Sequence, residues 1–502
     1  MVLSMTTATP PSSPGSPSQQ QSQSSSQRAP QQNAFAEDQR NGSRHEAYAA
    51  VFAMLEGLPE AERTRRRADI DRHFRRRGIT FCVYDDAGGT ERLIPFDPVP
   101  RVITASEWDI VEAGSIQRVK ALNAFLDDIY GAGDIFRAGV VPEGEIRQNP
   151  YYCAAMHGVK VAHGVHAHIA GVDVVRTAPD EWLVLEDNLR TPSGVSYMLE
   201  NRRALQRHMP ELFRASTVRP VDHYPDLLLR ALRACAPAGI DQPEVVILTP
   251  GSCNSAYFEH AYLAGRMQIK LVEGSDLFVD AGRVWMHTTK GRQRVDVIYR
   301  RIDDDFLDPE AFNPESALGV PGLFAVARAG GVTIANAVGN GVSDDKATYL
   351  HVPAMIKFYL DEEPILKNVP TWRCSDPSEL TYVLEHLAEL VVKEVNGSGG
   401  YGMLVGPAAS KAEIEAYRAR ILADPSDFIA QPTLALSTCP TWTANGVAPR
   451  HVDLRPYVVS GKDTQVVPGA LTRVALREGS LVVNSSQGGG TKDTWVVEDT
   501  SC

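Results

Sequence analysis

A chain of 502 residues with 43% hydrophobic content can fold into several domains around a large buried core. A net charge of −12 and a pI near 5.6 argue against a general nucleic-acid binder, and the longest apolar runs, 183–185 and 245–248, are too short to cross a membrane. The seven cysteines are scattered and form no Cys-x-x-Cys pair, which suits free thiols in a reducing cytoplasm.

Residues 1–44 are rich in Ser, Gln and Pro and read as a disordered tail with no secretory signal. A mainly helical region is expected over 45–150. Its second helix carries a basic run from Arg63 to Arg77, but interleaved Ala68, Ile70 and Phe74 make this an amphipathic, solvated face. A short hairpin is expected over 81–94. A long helix follows over 107–130, its stripe formed by Ile110, Val111, Ile116, Val119, Leu122, Phe125, Leu126 and Ile129.

Two strand-like segments, 171–175 and 182–186, flank a turn at 178–181, and a helix over 197–208 follows. A strand at 245–248, a helix at 256–265 and a strand at 269–272 give a β-α-β pattern. From 346 onward helices alternate with strands: helices 349–360, 379–390 and 411–422, strands 391–395 and 428–431. The expected units are therefore 45–150, 151–240, 241–345 and 346–502, after the tail.

Gly397-Ser398-Gly399-Gly400-Tyr401-Gly402 satisfies G-x-G-x-x-G, but Met403-Leu404-Val405-Gly406-Pro407 after it is extended and soon broken by proline. A dinucleotide fold needs a helix there, and a phosphate loop of the Walker type needs a Gly-Lys-Ser/Thr ending. The loop thus joins two strands, with Lys393 on the incoming one. Glycine lets backbone N–H groups approach anionic oxygen without a Cβ in the way. An ordinary flexible hairpin is the alternative.

Asp173 and Glu186 fall on the two strands of the 171–186 hairpin, and alternation puts Glu186 and Asn188 on one face. Hard oxygen donors of this kind suit Mg²⁺, which keeps phosphates and water in its shell. A solvated hairpin tip is the bland reading. Arg190, on the same face, could hold an anionic intermediate.

With these residues, and with the blocks 95–101, 295–301, 339–341, 450–456 and 484–490, the chain resembles the circularly permuted ATP-grasp family, type 2, and more distantly glutathionylspermidine synthase. The likeness runs over about 75–500. It implies an α/β (α+β) ATP-grasp fold with a Rossmann-like pre-ATP-grasp domain at 241–345 and an N-terminal helical region. The metal-binding end (173–190) would precede the glycine loop in sequence and rejoin it in space. The resemblance also implies ATP and Mg²⁺ as cofactors, Gln431-Pro432 beside the adenine, and Lys346 or Lys357, with Lys346 preferred, as an upstream phosphate lysine.

Arg301, Arg455 and Arg473 lie in matched blocks and are candidates for substrate carboxylate or phosphate, with salt bridges to Asp303–Asp305 or Asp453 as the alternative. The implied activity is a carboxylate–amine or carboxylate–thiol ligase acting on small-molecule or peptide substrates through an acyl phosphate. An accessory nucleotide-binding subunit and a small-molecule kinase are the rivals. A zinc site at His163, His166 and His168 lacks partner cysteines at ligand spacing, and Cys153 with His157 has no nucleophile setting.

Overall fold

The computed structural model describes residues 34–40, 42–83, 90–397, 402–484 and 487–499. Its centre is a sheet in which the strands run in the order 367–368, Glu181–Asn188, Ile169–Ala178, Gly446–Ser460, Thr464–Val474, Gly490–Val497 and Phe96–Thr104, with Thr438–Thr443 paired to Gly446–Ser460. Segments from the early, middle and late chain thus share one layer. The 45–150 region expected to be mainly helical contributes an edge strand, Phe96–Thr104, parallel to Gly490–Val497. Pro98 and Pro100 hide this strand in the sequence, and an edge position is where a sheet tolerates proline.

Helix Ala105–Ile129 covers one face of this sheet. Thr104 and Glu107 close a reciprocal cap at its N-terminus. Trp108, Leu122, Phe125 and Leu126 are fully buried, in one core with Val172, Val174, Val184 and Leu454. Each such side chain contributes about 2 kcal/mol by burial. Ile110, expected in the stripe, instead faces outward at 43% exposure. Helix Val195–His208 covers the opposite face and packs with Tyr457, Leu471 and Trp495.

A parallel sheet of four strands, in the order Thr333–Ala335, Val297–Arg300, Val245–Leu248 and Lys270–Val272, forms the Rossmann-like unit. A smaller sheet orders Trp372–Arg373, Phe428–Pro432, Leu390–Glu394 and Leu404–Val405. Helices Pro377–His386 and Lys411–Ala423 pack on it around Val383, Leu387, Val392 and Ile421. The helix expected over 379–390 stops at His386, and Leu390 already starts the strand.

The tail expected over 1–44 ends earlier than its composition implies. Ala36 bridges Thr438 in parallel, and Glu37 is buried. Among the described residues no helix is long and apolar enough to cross a membrane, and there is no disulfide.

Candidate active site

The smaller sheet faces the hairpin end of the central sheet across a cleft. Leu185, Glu186, Asp453 and Arg473 line it from the central sheet, and Val391, Lys393, Gln431 and Pro432 from the smaller one. Alternation explains the second wall: Leu390 and Val392 enter the small core, which turns Val391 and Lys393 toward the cleft. Val369, Leu434 and Leu436 add apolar surface, and Lys346, Glu394, Gly397 and Asn484 complete the polar rim.

The glycine loop joins antiparallel strands, with Val391 opposite Val405 and Val392 opposite Leu404. Ser398, Gly399, Gly400 and Tyr401 lie outside the described residues. At its two ends, Gly397 lines the cleft and Gly402 has a positive φ of 68°, with a carbonyl that accepts from Tyr417 Oη.

Lys393 donates to Gln431 Oε1 at 2.8 Å, and Gln431 donates to Thr371 Oγ1 at 3.0 Å. Neither partner is charged. Burial pushes the Lys393 amine down to about 8, Lys346 adds to this, and Glu186 and Asp173 oppose it. Lys346 donates to the Gly397 carbonyl. Lys357, the other candidate, lies on the exposed side of helix Val352–Leu360 and pairs with Glu363 at 2.7 Å, away from the cleft.

Asp173 stands directly opposite Glu186 in the hairpin, and Gly171 opposite Asn188. Its surroundings differ from the expected open metal position. Arg455 holds both of its oxygens, with Nη2 at 2.7 Å from Oδ2, and Arg473 Nη2 reaches Oδ2 at 2.6 Å. Burial alone would raise the Asp173 carboxyl, but the two guanidiniums hold it well below the usual carboxylate range. Arg473 also bonds both oxygens of Asp453, so the salt-bridge alternative describes this arginine well.

Glu186 is different: its side chain is 28% exposed and faces the cleft, with Arg455 Nη2 at 3.9 Å as counter-charge. Asn188 Nδ2 donates to the Gly171 carbonyl at 3.4 Å. Glu186 and Asn188 therefore fit Mg²⁺, which needs few protein ligands beside phosphate. Asp173, with both oxygens engaged by arginine, does not fit as a direct ligand. Among the described residues no group of three His, Cys, Asp or Glu side chains is arranged to hold a metal, the three histidines included.

Arg190 stacks on Tyr151 with its guanidinium 4.3 Å from the ring centroid, and its Nε donates to Asp344 at 2.9 Å. The Gly339-Asn340-Gly341 block serves this arrangement. A Cβ on Gly341 would meet Arg190 Cδ at 2.8 Å and Tyr151 Cβ at 2.9 Å, and Asn340 Nδ2 donates to the Leu189 carbonyl at 2.8 Å. Arg301 is not at the cleft. It is buried and donates to the carbonyls of Pro192 at 2.9 Å and Thr191 at 3.3 Å, with Glu259 at 3.5 Å, so it braces the chain after Arg190.

Sequence reasoning missed the apolar walls Leu185, Val369, Leu434 and Leu436 and the rim residue Glu394. Leu185 and Glu394 sit in the segments that carry Glu186 and Lys393, where no role was read for them, and Val369, Leu434 and Leu436 stand in no motif. Asn484 lay in a matched block, which was a usable signal.

The profile of the circularly permuted ATP-grasp type 2 family matches residues 100–475. The chain belongs to this family. An "Uncharacterized protein sll0335" from Synechocystis sp. is 54% identical over 422 residues, 84% of this chain and 88% of that protein. A Frankia casuarinae protein named "Putative glutamate--cysteine ligase 2-2" is 44% identical over 453 residues, which cover 89% of this chain and 52% of that longer protein. A solved glutathione synthetase-like effector from Globodera pallida, in apo form, shares the fold with a TM-score of 0.55 at 11% identity, covering 88% of this ATP-grasp chain and 98% of the effector.

Proposed function

We propose that the protein is an ATP- and Mg²⁺-dependent ligase that joins a carboxylate to an amine, or to a thiol, through an acyl phosphate. One observation carries this reading: Lys346, Lys393 and Glu186, from distant parts of the chain, converge on a single cleft with apolar walls. Arg473 is paired with Asp453 and Asp173, and Glu394 with Arg420, so among the described residues the Lys346 and Lys393 amines are the cleft's cations without an ion pair, a setting that suits a polyanion. Membership of the ATP-grasp family and a relative named as a ligase support the same class.

In this reading Leu185, Val369, Val391, Leu434 and Leu436 enclose the adenine beside Gln431 and Pro432. Lys346 and Lys393 balance phosphate charge, and the loop from Gly397 to Gly402 excludes water from the acyl phosphate. Glu186 and Asn188 would hold Mg²⁺, which would supply charge neutralisation and orientation of the phosphates. Arg455 and Arg473 keep Asp173 ionised and fixed, so the hairpin that carries Glu186 does not shift. A substrate carboxylate near Arg190 attacks the γ-phosphate and releases ADP. The amine then attacks the acyl carbon, expels inorganic phosphate and loses a proton.

Incubation with ATP, Mg²⁺ and pools of acids and amines, read by ADP release and hydroxylamine trapping, tests the proposal. Hydroxamate formation is the expected result. ATP binding with no ADP release would instead make the chain an accessory subunit, and ADP release without hydroxamate would make it a kinase.

A further inference from the structure

Residues 34–40 fold as a strap along the central sheet. Within it the Glu37 carboxylate is fully enclosed: it accepts from Arg101 Nε at 2.8 Å, Arg101 Nη2 at 2.5 Å and Ser437 Oγ at 2.6 Å, and Cys439 Sγ lies at 3.2 Å. Arg101 is equally buried, and Glu37 is the one carboxylate it bonds among the described residues. Its third nitrogen, Nη1, donates to the backbone carbonyl of Asp453 at 3.0 Å. The Asp453 carboxylate holds Arg473, which in turn holds Asp173. Ser437 follows Leu434 and Leu436, which form the apolar wall of the cleft.

We propose that Glu37 is a positioning residue for the nucleotide cleft, acting through Arg101 and Ser437. This rests on reading the cleft as an ATP site. A guanidinium buried without a counter-ion must find one or distort its surroundings. Arg101 donates to the Asp453 main chain, so a shift of an unpaired Arg101 would disturb the strand position that carries the Asp453 carboxylate. Glu37 occupies Arg101 and leaves Asp453 to align Arg473 at the cleft. The same carboxylate fixes Ser437, so both the strand at Asp453 and the apolar segment 434–436 depend on a segment whose neighbours upstream are compositionally tail.

The test uses the full chain and measures the ATP dissociation constant directly by titration calorimetry, beside the thermal midpoint. Glu37→Gln should weaken ATP binding about tenfold, and Glu37→Gln with Arg101→Met, which removes the unpaired charge, should restore it to within about threefold. A lower midpoint with unchanged ATP affinity in Glu37→Gln, or a double variant that stays weak, would overturn the proposal. Should Glu37→Gln fail to fold, Glu37→Asp decides: the retained charge with a shorter reach should loosen ATP binding about threefold, and unchanged binding overturns it. A wild-type chain that binds no ATP removes the nucleotide reading alone. Amide exchange at 434–439 and 451–455 then decides: selectively faster exchange in the Glu37 variant supports the brace, and unchanged exchange sinks it.

Discussion

The two walls of the cleft handle charge in opposite ways. On the central sheet Asp173, Asp453, Arg455 and Arg473 are bound to one another, so their charges are mutually satisfied without a ligand. Across the cleft, Lys393 of the smaller sheet and Lys346 at the rim make their side-chain hydrogen bonds among the described residues to neutral groups, a glutamine side chain and a backbone carbonyl. The first wall is a finished electrostatic structure. The second holds two amines without an ion-pair contact among the described residues, which an anionic ligand would complete. Residues of the same formal charge thus serve rigidity on one side and recognition on the other.

Substitutions separate these roles. The largest effect is expected for Asp173→Ala, which leaves the buried Arg473 guanidinium with Asp453 alone and that of Arg455 with only Glu186 at 3.9 Å, and should destabilise the fold by about 3–5 kcal/mol in thermal or denaturant unfolding. A variant that melts like the wild type would put Asp173 in the recognition class instead. Lys393→Ala and Glu186→Ala should each lower ATP turnover by about a hundredfold or more while the melting midpoint stays within a few degrees. Wild-type ATP consumption in either variant would remove that residue from the site.

A pH titration sharpens the contrast. The Lys393 amine has a value of about 8 in the folded chain against an ordinary 10.5. Between these values the unfolded chain holds a proton that the folded chain has released, so this group's destabilising contribution is complete below pH 8 and relieved as pH rises toward 10.5. ATP affinity should move the other way, falling by up to about tenfold per pH unit above 8, and Lys393→Arg should flatten the profile. The smallest effect belongs to Lys357→Ala. Loss of its exposed pair with Glu363 should leave the melting midpoint and the turnover unchanged.

Local pattern made much of the architecture legible. The hairpin turn at 178–181, the long helix after residue 104 and the strand–loop–strand around the glycines all follow from turn chemistry and periodicity within a few residues. What escaped were properties set by partners far away in sequence. Nothing near Asp173 announces Arg455 and Arg473, and Arg301 found Glu259 and backbone carbonyls in place of the neighbouring aspartates. Glu37 escaped for a different reason: one buried carboxylate cannot outweigh the composition of the residues before it.

The register of the central sheet also constrains how this molecule can be made. Val174 pairs with Leu454, and Phe96 with Thr491. A growing chain emerging from the ribosome must therefore keep its hairpin of 169–188 waiting, with one edge unpaired, until the strand Gly446–Ser460 has been synthesised. During that interval Asp173 has neither arginine, which makes the late segment a folding requirement as well as a wall of the cleft.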